Sequence, residues 1–283
     1  MEPFHWQGSA QLFFAHSNEE RRLHDHFVEH VLPRLREHTK SITSSTFRWL
    51  DVGPGDGLHL RSFKEVVQAS LDASEVDLQL TLIEPSMSWF EQLLSLPGFN
   101  DSERVTAIPE TFQEHLTRHS LSDYHLVTFT HLLYDRALAD ALTEAVAAYY
   151  STALTRHTAI HLVMEQPGSA MDVMRSRLEA LGVPVPRTQY QHLADALRDT
   201  GIPHEVIEIP DQWCTIDPVD LMTNDQHWLF GFVIGGSTRD LDQLSAGDQR
   251  SIREVVRDHI SSLADGRLSI DDVTIWIPPH YVN

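Results

Sequence analysis

A glycine-rich turn after an apolar strand constrains this chain more than any other feature. In the stretch FRWLDVGPGDGLHLRSF, residues 47–63, an apolar run ends at Asp51, and glycines follow at 53, 55 and 57 before an amphipathic segment begins. In an open parallel sheet, such a turn lets the backbone approach a ligand beyond the carboxyl ends of the strands, where the next helix N-terminus faces that ligand. The stretch therefore predicts a ligand-binding sheet.

Strand-like and helix-like segments alternate at short spacing as far as Glu165. This alternation predicts an α/β fold: a doubly wound, mostly parallel, Rossmann-like sheet with helices on both faces. Pro33 is expected to kink or end the entry helix early. The predicted helices cover 18–39, 60–71, 86–96, 138–154, 171–181, 190–200 and a segment starting at 246, and the predicted strands cover 47–53, 78–84, 104–108, 125–131, 159–165, 204–216 and 267–277.

The pattern becomes less regular after Glu165, which predicts four regions in the 283 residues. We expect an N-terminal helical segment covering the substrate over 1–46 and a ligand-binding core over 47–165. A cap or substrate-binding insert is expected over 166–236, and a C-terminal helix and strand returning to the core over 237–283. The short connections and single cap favour a monomer.

Charge and cysteine content exclude several classes of function. The formal net charge of −20 disfavours a nucleic-acid backbone or an anionic membrane as partner and favours small cations. Cys214 is the only cysteine, so no internal disulfide can form, and a reducing compartment is expected. The first residues lack a signal-peptide pattern, and no run approaches the roughly 18 apolar residues of a membrane span. We therefore expect a cytoplasmic protein.

The residues around the turn favour a cationic ligand over a dinucleotide. Leu58 occupies the position of the third glycine of a dinucleotide fingerprint, so the pyrophosphate motif is absent. Asp51 and Asp56 would repel a pyrophosphate but attract a sulfonium ligand with a protonated amino group. Glu84 ends the second strand, where a carboxylate can accept both hydroxyls of a ribose. A turn that only packs a helix against a strand is the alternative.

Together these motifs resemble the class I S-adenosylmethionine-dependent methyltransferases. The entry segment FFAHSNEERRLHDHF is similar to that of the histamine N-methyltransferase family, and IEPS, PETF and FTHLLYD follow in the same order, with a weaker likeness in IDPVDLMTNDQHWLFGF. The resemblance covers most of residues 12–140. It implies S-adenosylmethionine as the cofactor and a small-molecule methyl acceptor, an imidazole or amine related to histamine or histidine.

The resemblance also implies particular site residues. The implied cofactor-binding residues are Asp51, Gly53, Pro54, Gly55, Asp56, Gly57, Glu84, Pro85, Ser86, Thr111, Phe112, Thr130 and His131. The implied substrate-binding residues are Phe14, Glu19, His131, Tyr134 and Asp271, with Asp272 as an alternative to Asp271. Apart from the resemblance, the aromatic residues Trp213 and Phe230 are candidates that line a substrate pocket or pack the cap. The catalytic candidates are Glu19, His131, Tyr134 and Asp135. The chain departs from the family where His131 replaces a glutamine and Asp135 a tyrosine, which puts histamine itself in question.

The chemistry leaves several alternatives open. Methyl transfer from a sulfonium is an in-line displacement that needs alignment and exclusion of water rather than a covalent nucleophile. An amine must arrive unprotonated, and a nearby acid or histidine can hold it or take its proton. An acidic pocket would suit an acceptor with a second, cationic amine. An oxygen or sulfur acceptor, with His131 as base, and a non-catalytic binding protein remain alternatives.

Each catalytic candidate also has a structural interpretation. Glu19 suits the first turn of a helix capped by Asn18 or Ser17, and Asp135 could cap the helix that follows it. His131 and Tyr134 could be buried and hydrogen-bonded at a strand end. His26 and His30 stand at helical spacing, but a third metal ligand is not evident, so no metal and a solvated helix face are expected there.

Overall fold

The computed structural model describes residues 13, 16–133, 136–152, 157–183, 185, 190–215, 244–262 and 267–279. The chain divides into two compact units. The first unit comprises Met1–Arg22, Glu165–Thr188 and Glu208–Asp272, and the second comprises Leu23–Met164, Gln189–Ile207 and Val273–Asn283. The four sequence regions predicted above stay a prediction.

A π-helical turn precedes Pro33 in the entry helix, which continues to Lys40 rather than ending early. Helix α1 covers Glu19–His26, a π-helical turn covers Phe27–Val31, and α2 covers Leu32–Lys40. Proline lacks an N–H and its ring clashes with the carbonyl four residues earlier, so it is best tolerated in the first turn of a helix. The π turn widens the backbone there and puts Pro33 in the first turn of α2.

A seven-stranded sheet forms the centre of the fold. Its strands are β1 Thr46–Val52, β2 Asp77–Ile83, β3 Val105–Ile108, β4 Leu126–Thr130, β5 Ala159–Glu165, β6 Glu205–Ile209 and β9 Asp272–Ile277. They lie in the order β3-β2-β1-β4-β5-β9-β6, and β3, β2, β1, β4 and β5 pair in parallel. This confirms the predicted mostly parallel α/β fold. The strand order reverses between β1 and β4, which is where ligands bind in open sheets of this type.

The remaining elements include the other predicted helices, which agree with the structure to within two residues, and two short helical segments at 112–116 and 121–123 that were not predicted. In the second unit they are α3 Leu58–Asp72, α4 Met87–Ser95, α5 Phe112–Leu116, a 3-10 turn Leu121–Asp123, α6 Arg136–Thr152 and α8 Tyr190–Asp199. In the first unit they are α7 Ala170–Ala180, β7 Trp213–Thr215, α9 Ala246–Ser261 and β8 Arg267–Ser269. No described helix combines the length and apolar character that crossing a bilayer requires.

Each unit buries its own apolar core. In the second unit the core lines the sheet and includes Val127, Phe129, Leu142, Leu162 and Ile275, all fully buried. In the first unit the cluster includes Met174, Leu178, Cys214, Ile252 and Leu268. Burial of a leucine- or phenylalanine-sized side chain contributes about 1.5–3 kcal/mol, so these clusters are the main stabilising term in each unit.

Two predicted strands are each divided into two. Residues 204–216 form β6 and β7, and residues 267–277 form β8 and β9. β6 and β9 belong to the large sheet, whereas β7 and β8 form a separate antiparallel pair in which Cys214 faces Leu268. The prediction of a continuous strand over 204–216 was wrong because Pro210 and Asp211, which has a φ of 62°, interrupt the extended chain. The strand predicted over 267–277 was also wrong, since it is divided between Ser269 and Asp272. Alternation of apolar residues continues across such a break and does not reveal it.

Candidate functional site

The glycine turn connects β1 to α3 at the point where the strand order reverses. Gly53, Gly55 and Gly57 have φ angles of 63°, 57° and 77°, in the left-handed region that favours glycine. A Cβ on Gly53 would lie 2.4 Å from Leu132 Cδ1, and one on Gly57 would lie 2.5 Å from Leu93 Cδ1. A Cβ on Gly55 would meet no atom within 4 Å. The outer glycines therefore allow close packing, while the middle glycine borders open space.

Glu84 follows β2 and holds two turns together. Its side chain is buried, Oε2 accepts a hydrogen bond from Gly55 N at 3.3 Å, and Oε1 accepts one from Ser86 N at 2.9 Å. Burial raises the pKa of Glu84, and these two backbone donors partly oppose that rise. The carboxylate is thus fixed in orientation between the β1–α3 turn and the start of α4. A carboxylate held in this way can accept the two hydroxyls of a ribose, and that role of Glu84 stays a prediction.

Asp51 lies near the end of β1 and is also buried. Its carboxylate accepts a hydrogen bond from Thr128 Oγ1 on the neighbouring strand β4. Burial raises the pKa of Asp51 to about 7, the Thr128 hydrogen bond lowers it, and the charge of Glu84 raises it further. Two buried acids that disfavour each other's ionisation favour a cationic ligand, because a positive charge offsets that repulsion.

Asp56 stabilises the start of α3. Its Oδ1 accepts a hydrogen bond from Leu58 N at 3.1 Å, which satisfies one of the free N–H groups of the first helical turn. Pro85 is exposed and Ser86 half-buried at the start of α4. The structure thus brings the predicted residues of the first and second strand ends to one edge of the sheet.

After β3 come two predicted cofactor contacts, Thr111 and Phe112, and a hydrogen-bonded group around Glu110 that the sequence interpretation missed. Thr111 caps α5 in a reciprocal capping box with Glu114. The Phe112 side chain is buried and packs edge-on against Phe129, with ring centroids 5.1 Å apart, so its ring belongs to the core. Buried Glu110 accepts a hydrogen bond from His115 Nδ1 at 2.6 Å.

This group extends away from the strand end on both sides. His115 Nε2 lies 2.8 Å from the Tyr124 hydroxyl, and the guanidinium of Arg118 pairs with Glu110. Burial lowers the pKa of His115 to about 4. The only sequence signal for the group was the acid that follows β3. The hydrogen bonds of Glu110, His115 and Tyr124 fix the turn that contains Thr111.

The end of β4 carries the two remaining predicted cofactor contacts, Thr130 and His131. His131 has a φ of 54°, a strained conformation for a residue other than glycine, and its N–H donates to Val163 O at 3.0 Å. Its ring lies 6.1 Å from that of His59 in the first turn of α3. Sequence reasoning did not select His59, although its place two residues after Gly57 was a usable signal.

In the first unit, the chain before α1 pairs with β7. Asn18 N donates to Trp213 O at 3.0 Å, Trp213 N donates to Asn18 Oδ1 at 2.8 Å, and Ser17 forms an isolated antiparallel bridge with Cys214. Asn18 also donates from Nδ2 to Asp211 O. The side chain of Asn18 is therefore engaged with the segment leading into β7, while its carbonyl oxygen accepts a hydrogen bond from Arg22 N in the first turn of α1.

Glu19 follows this pairing and is buried rather than solvated. Asp272, at the start of β9, is also buried, and the two side chains offer carboxylate oxygens within 4.8 Å of each other. Gln212 holds Asp272 in place, because Gln212 Nε2 donates to Asp272 Oδ2 and Asp272 N donates to Gln212 Oε1. Buried carboxylates at this separation suit a cationic group.

Asp271, the residue predicted to contact substrate, makes local hydrogen bonds. Its carboxylate accepts from Gln212 N at 3.0 Å and from Ser269 Oγ at 2.6 Å. Of the two aspartates that the resemblance offered, Asp272 is the one beside Glu19. Trp213 is half-buried, and the Arg267 guanidinium lies 4.6 Å from its ring centroid. Burial, followed by the charge of Glu19, raises the pKa of Cys214 to about 12, so this thiol is unreactive.

Four predicted residues lie outside the described residues: Phe14, Tyr134, Asp135 and Phe230. The solvated helix face expected at His26 and His30 was wrong for His26. That side chain is buried, its Nε2 lies 3.0 Å from Thr274 Oγ1, and its ring centroid lies 4.7 Å from that of His30. The π turn that begins at Phe27 changes the helical spacing on which the expectation rested.

Comparisons with known proteins identify the fold. No protein-family model and no curated protein matches the sequence. The structure is similar to that of loganic acid methyltransferase with SAH (10% identity, 92% of this chain and 94% of that chain covered, TM-score 0.53). It is also similar to the YcgJ protein of Bacillus subtilis (13% identity, 89% and 99% covered, TM-score 0.50). At these identities the likeness establishes the fold alone, a mostly parallel α/β sheet of the Rossmann-like type that these structures share.

Proposed function

We propose that this protein is an S-adenosylmethionine-dependent methyltransferase that transfers a methyl group to a nitrogen of a small molecule. One observation carries the proposal. At the reversal of strand order, a glycine turn in the left-handed conformation lies between two buried acids, Asp51 and Glu84, and the carboxylate of Glu84 is pinned to that turn. A protonated amino group, a sulfonium and a ribose diol are the ligand groups that this arrangement would bind.

The charges at the turn support this ligand over a nucleoside phosphate. Burial raises the pKa of both acids, and the charge of Glu84 adds to the rise in the pKa of Asp51. A phosphate would add a further negative charge beside these acids, whereas a cation would stabilise their ionised forms. The open space beside Gly55 leaves room for a ligand against the backbone. A solved structure of the same fold is named loganic acid methyltransferase with SAH, which supports methyl transfer by analogy of fold.

The proposed acceptor carries a cationic group next to its nucleophilic nitrogen. The buried carboxylates of Glu19 and Asp272 support this part of the proposal, because two acids within 4.8 Å of each other are best satisfied by a shared positive charge. An imidazole or primary amine with a second amine, as in histamine-like or histidine-derived compounds, has this chemistry. His131 is the proposed proton acceptor at the end of β4.

In the proposed reaction, the nitrogen lone pair forms the new bond to the methyl carbon. S-adenosylmethionine would supply the methyl group as part of a sulfonium, and the electron pair of its S–C bond would return to sulfur. The methylated nitrogen then loses a proton to His131 and from there to solvent. The protein has to align nitrogen, carbon and sulfur and to exclude water, because the sulfonium is already an excellent leaving group.

A screen of methyl acceptors with labelled S-adenosylmethionine tests the choice of nucleophile. Histamine, histidine, other biogenic amines and phenols should be compared, and methylation of an amine or imidazole is the expected result. Methylation of phenols alone would replace the proposal with oxygen chemistry on the same fold.

Glu19→Gln should raise KM for a cationic amine more than tenfold, since it removes a buried charge contact worth over about 1.4 kcal/mol. Glu20→Gln, the next residue on α1, is the matched control.

A further inference from the structure

A buried chain of hydrogen bonds ends on Asp51. The indole Nε1 of Trp49 donates to Thr128 Oγ1 at 2.7 Å, and the Thr128 hydroxyl donates to Asp51 Oδ2. Trp49 and Thr128 are completely buried, and Asp51 is nearly so. Thr128 and Asp51 are register partners on the adjacent strands β4 and β1, and Trp49 precedes Asp51 by two residues on the same strand, so all three side chains lie on one face of the sheet.

The indole of Trp49 fixes which group donates in each of these hydrogen bonds. An indole N–H can only donate, so it occupies one lone pair of the Thr128 oxygen and leaves the hydroxyl hydrogen for another acceptor. Two acceptors are available, Asp51 Oδ2 and the carbonyl oxygen of Leu50, which is 3.4 Å away. The carboxylate is nearer and charged, so the hydroxyl donates to it when Asp51 is ionised.

Protonation of Asp51 reverses the direction of the last hydrogen bond. A protonated carboxyl would itself donate to Thr128, and the threonine hydroxyl would then turn to Leu50 O. The same three residues therefore have two hydrogen-bonded states, and the state with ionised Asp51 presents a fixed negative charge at the glycine turn. A hydrophobic residue at position 128 would leave that carboxylate buried without its side-chain donor, which disfavours ionisation.

We propose that Thr128, held by Trp49, is a positioning residue that keeps the Asp51 carboxylate ionised and oriented toward the positively charged methionine part of the cofactor. The inference rests on the proposed function for the identity of the ligand. It adds two residues of β1 and β4 that act through Asp51. In this proposal Trp49 and Thr128 affect binding of the methionine part of the cofactor through Asp51, whereas Glu84 binds the ribose.

Other titratable groups face this region and enter its pH dependence. Glu84 lies at the end of the neighbouring strand β2 and raises the pKa of Asp51 through its charge. His161 on β5 is the register partner of Thr128 on the other side; it is fully buried, and neither of its ring nitrogens has a hydrogen-bond partner among the described residues. His161 has its pKa lowered to about 3 by burial, so it stays neutral in the range where Asp51 titrates. Asp56, His59 and His131 lie at the same sheet edge.

Ligand-free carboxyl titration tests the hydrogen-bond chain without reference to activity. In protein labelled with ¹³C at the aspartate carboxyls, the Asp51 signal is assigned by its loss in Asp51→Asn. Thr128→Val should raise the Asp51 midpoint by about one pH unit, whereas Thr128→Ser should retain the wild-type midpoint. An unchanged midpoint in Thr128→Val would overturn the proposal. If that variant does not fold, Trp49→Phe carries the same test, with an upward shift expected.

Calorimetric titration with two ligands tests the assignment to the methionine part. S-adenosylhomocysteine contains the amino acid portion, and 5′-methylthioadenosine lacks it. At pH 7, Thr128→Val should weaken S-adenosylhomocysteine binding about fivefold, because the ionised fraction of Asp51 falls when its midpoint rises by about one unit. Binding of 5′-methylthioadenosine should not change, and an equal loss for both ligands would overturn the assignment. If wild type binds neither ligand while the Asp51 midpoint still shifts, the proposed function and this ligand fail, and only the hydrogen-bond chain stands.

Discussion

Gly53 and Leu132 approach so closely that a Cβ on the glycine would lie 2.4 Å from Leu132 Cδ1. Leu132 follows the end of β4, and Gly53 follows β1, so this contact packs the two strand ends on either side of the strand-order reversal. The glycine turn is therefore part of the packing of the second unit as well as a candidate ligand site. Substitutions at Gly53 and Gly55 should separate these two roles.

Gly53→Ala should destabilise the second unit more than Gly201→Ala. Both glycines have positive φ angles, 63° and 67°, so alanine costs about 1–2 kcal/mol of backbone strain at each. A Cβ at Gly201 meets no atom within 4 Å, whereas at Gly53 the collision with Leu132 should add about 1–3 kcal/mol. Urea unfolding of both variants measures the difference. Equal losses of unfolding free energy would show that the Leu132 side chain moves aside without destabilising the protein.

Gly55→Ala should reduce cofactor affinity with little more loss of stability than Gly201→Ala. Its φ of 57° imposes the same strain, but its Cβ would enter open space beside Glu84 rather than collide with the protein. A methyl group in that space would obstruct a ligand lying against the turn, and we expect at least about a tenfold loss of S-adenosylhomocysteine affinity. Calorimetry on the two variants gives the comparison. Wild-type affinity in Gly55→Ala would mean that the ligand does not contact this part of the backbone.

Much of the fold was predictable because periodicity reports burial. Strands 159–165 and the helix from Ala246 agree with the structure at their predicted starts, and the glycines at 182 and 201 follow helices as expected. Breaks within an alternating stretch were not predictable in this way. The turn at Pro210 and Asp211 divides one predicted strand between two sheets, because alternation says which face a residue occupies and not which strand lies beside it.

The arrangement of the candidate site was predictable where its residues lie at the ends of adjacent parallel strands. Asp51, the glycine turn and Glu84 meet as expected because parallel strands end at one edge of the sheet. Trp49 and Thr128 could not be selected in this way, because in the sequence they are ordinary strand residues. Their hydrogen bond forms only when β1 and β4 pair in register. Asp272 was preferred over Asp271 only by the structure, because sequence alone does not say that Gln212 and Ser269 engage Asp271 while Asp272 lies beside Glu19.

Acid should destabilise the second unit through buried neutral histidines. His125 Nδ1 accepts a hydrogen bond from Arg48 N at 2.9 Å, and His38 Nε2 lies 3.1 Å from His125 O. Burial lowers the pKa of both histidines to about 4, below the unfolded value of 6.5. Because the unfolded chain binds protons first, their stabilisation is complete above pH 6.5 and is lost as the pH falls toward 4, at about 1.4 kcal/mol per pH unit for each histidine.

His125→Asn tests this pH dependence. The asparagine Oδ1 can accept the Arg48 N–H in place of Nδ1, but it does not titrate. Urea unfolding is measured at pH 7.5 and at pH 5 for both proteins. On acidification the variant should lose less unfolding free energy than wild type, and the difference should be at most the contribution of one titrating histidine. The same loss in both proteins would show that His125 titrates normally in the folded state.

The most direct test of the central claim is calorimetric titration of the purified protein with S-adenosylhomocysteine, repeated with Glu84→Ala and with Glu65→Ala. Glu65 is an exposed acid on α3, so its removal changes the net charge equally without altering the carboxylate that holds Gly55 and Ser86. We predict binding by wild type and by Glu65→Ala, and none by Glu84→Ala. Absence of binding by wild type would contradict the account and leave the glycine turn as a packing element of the sheet.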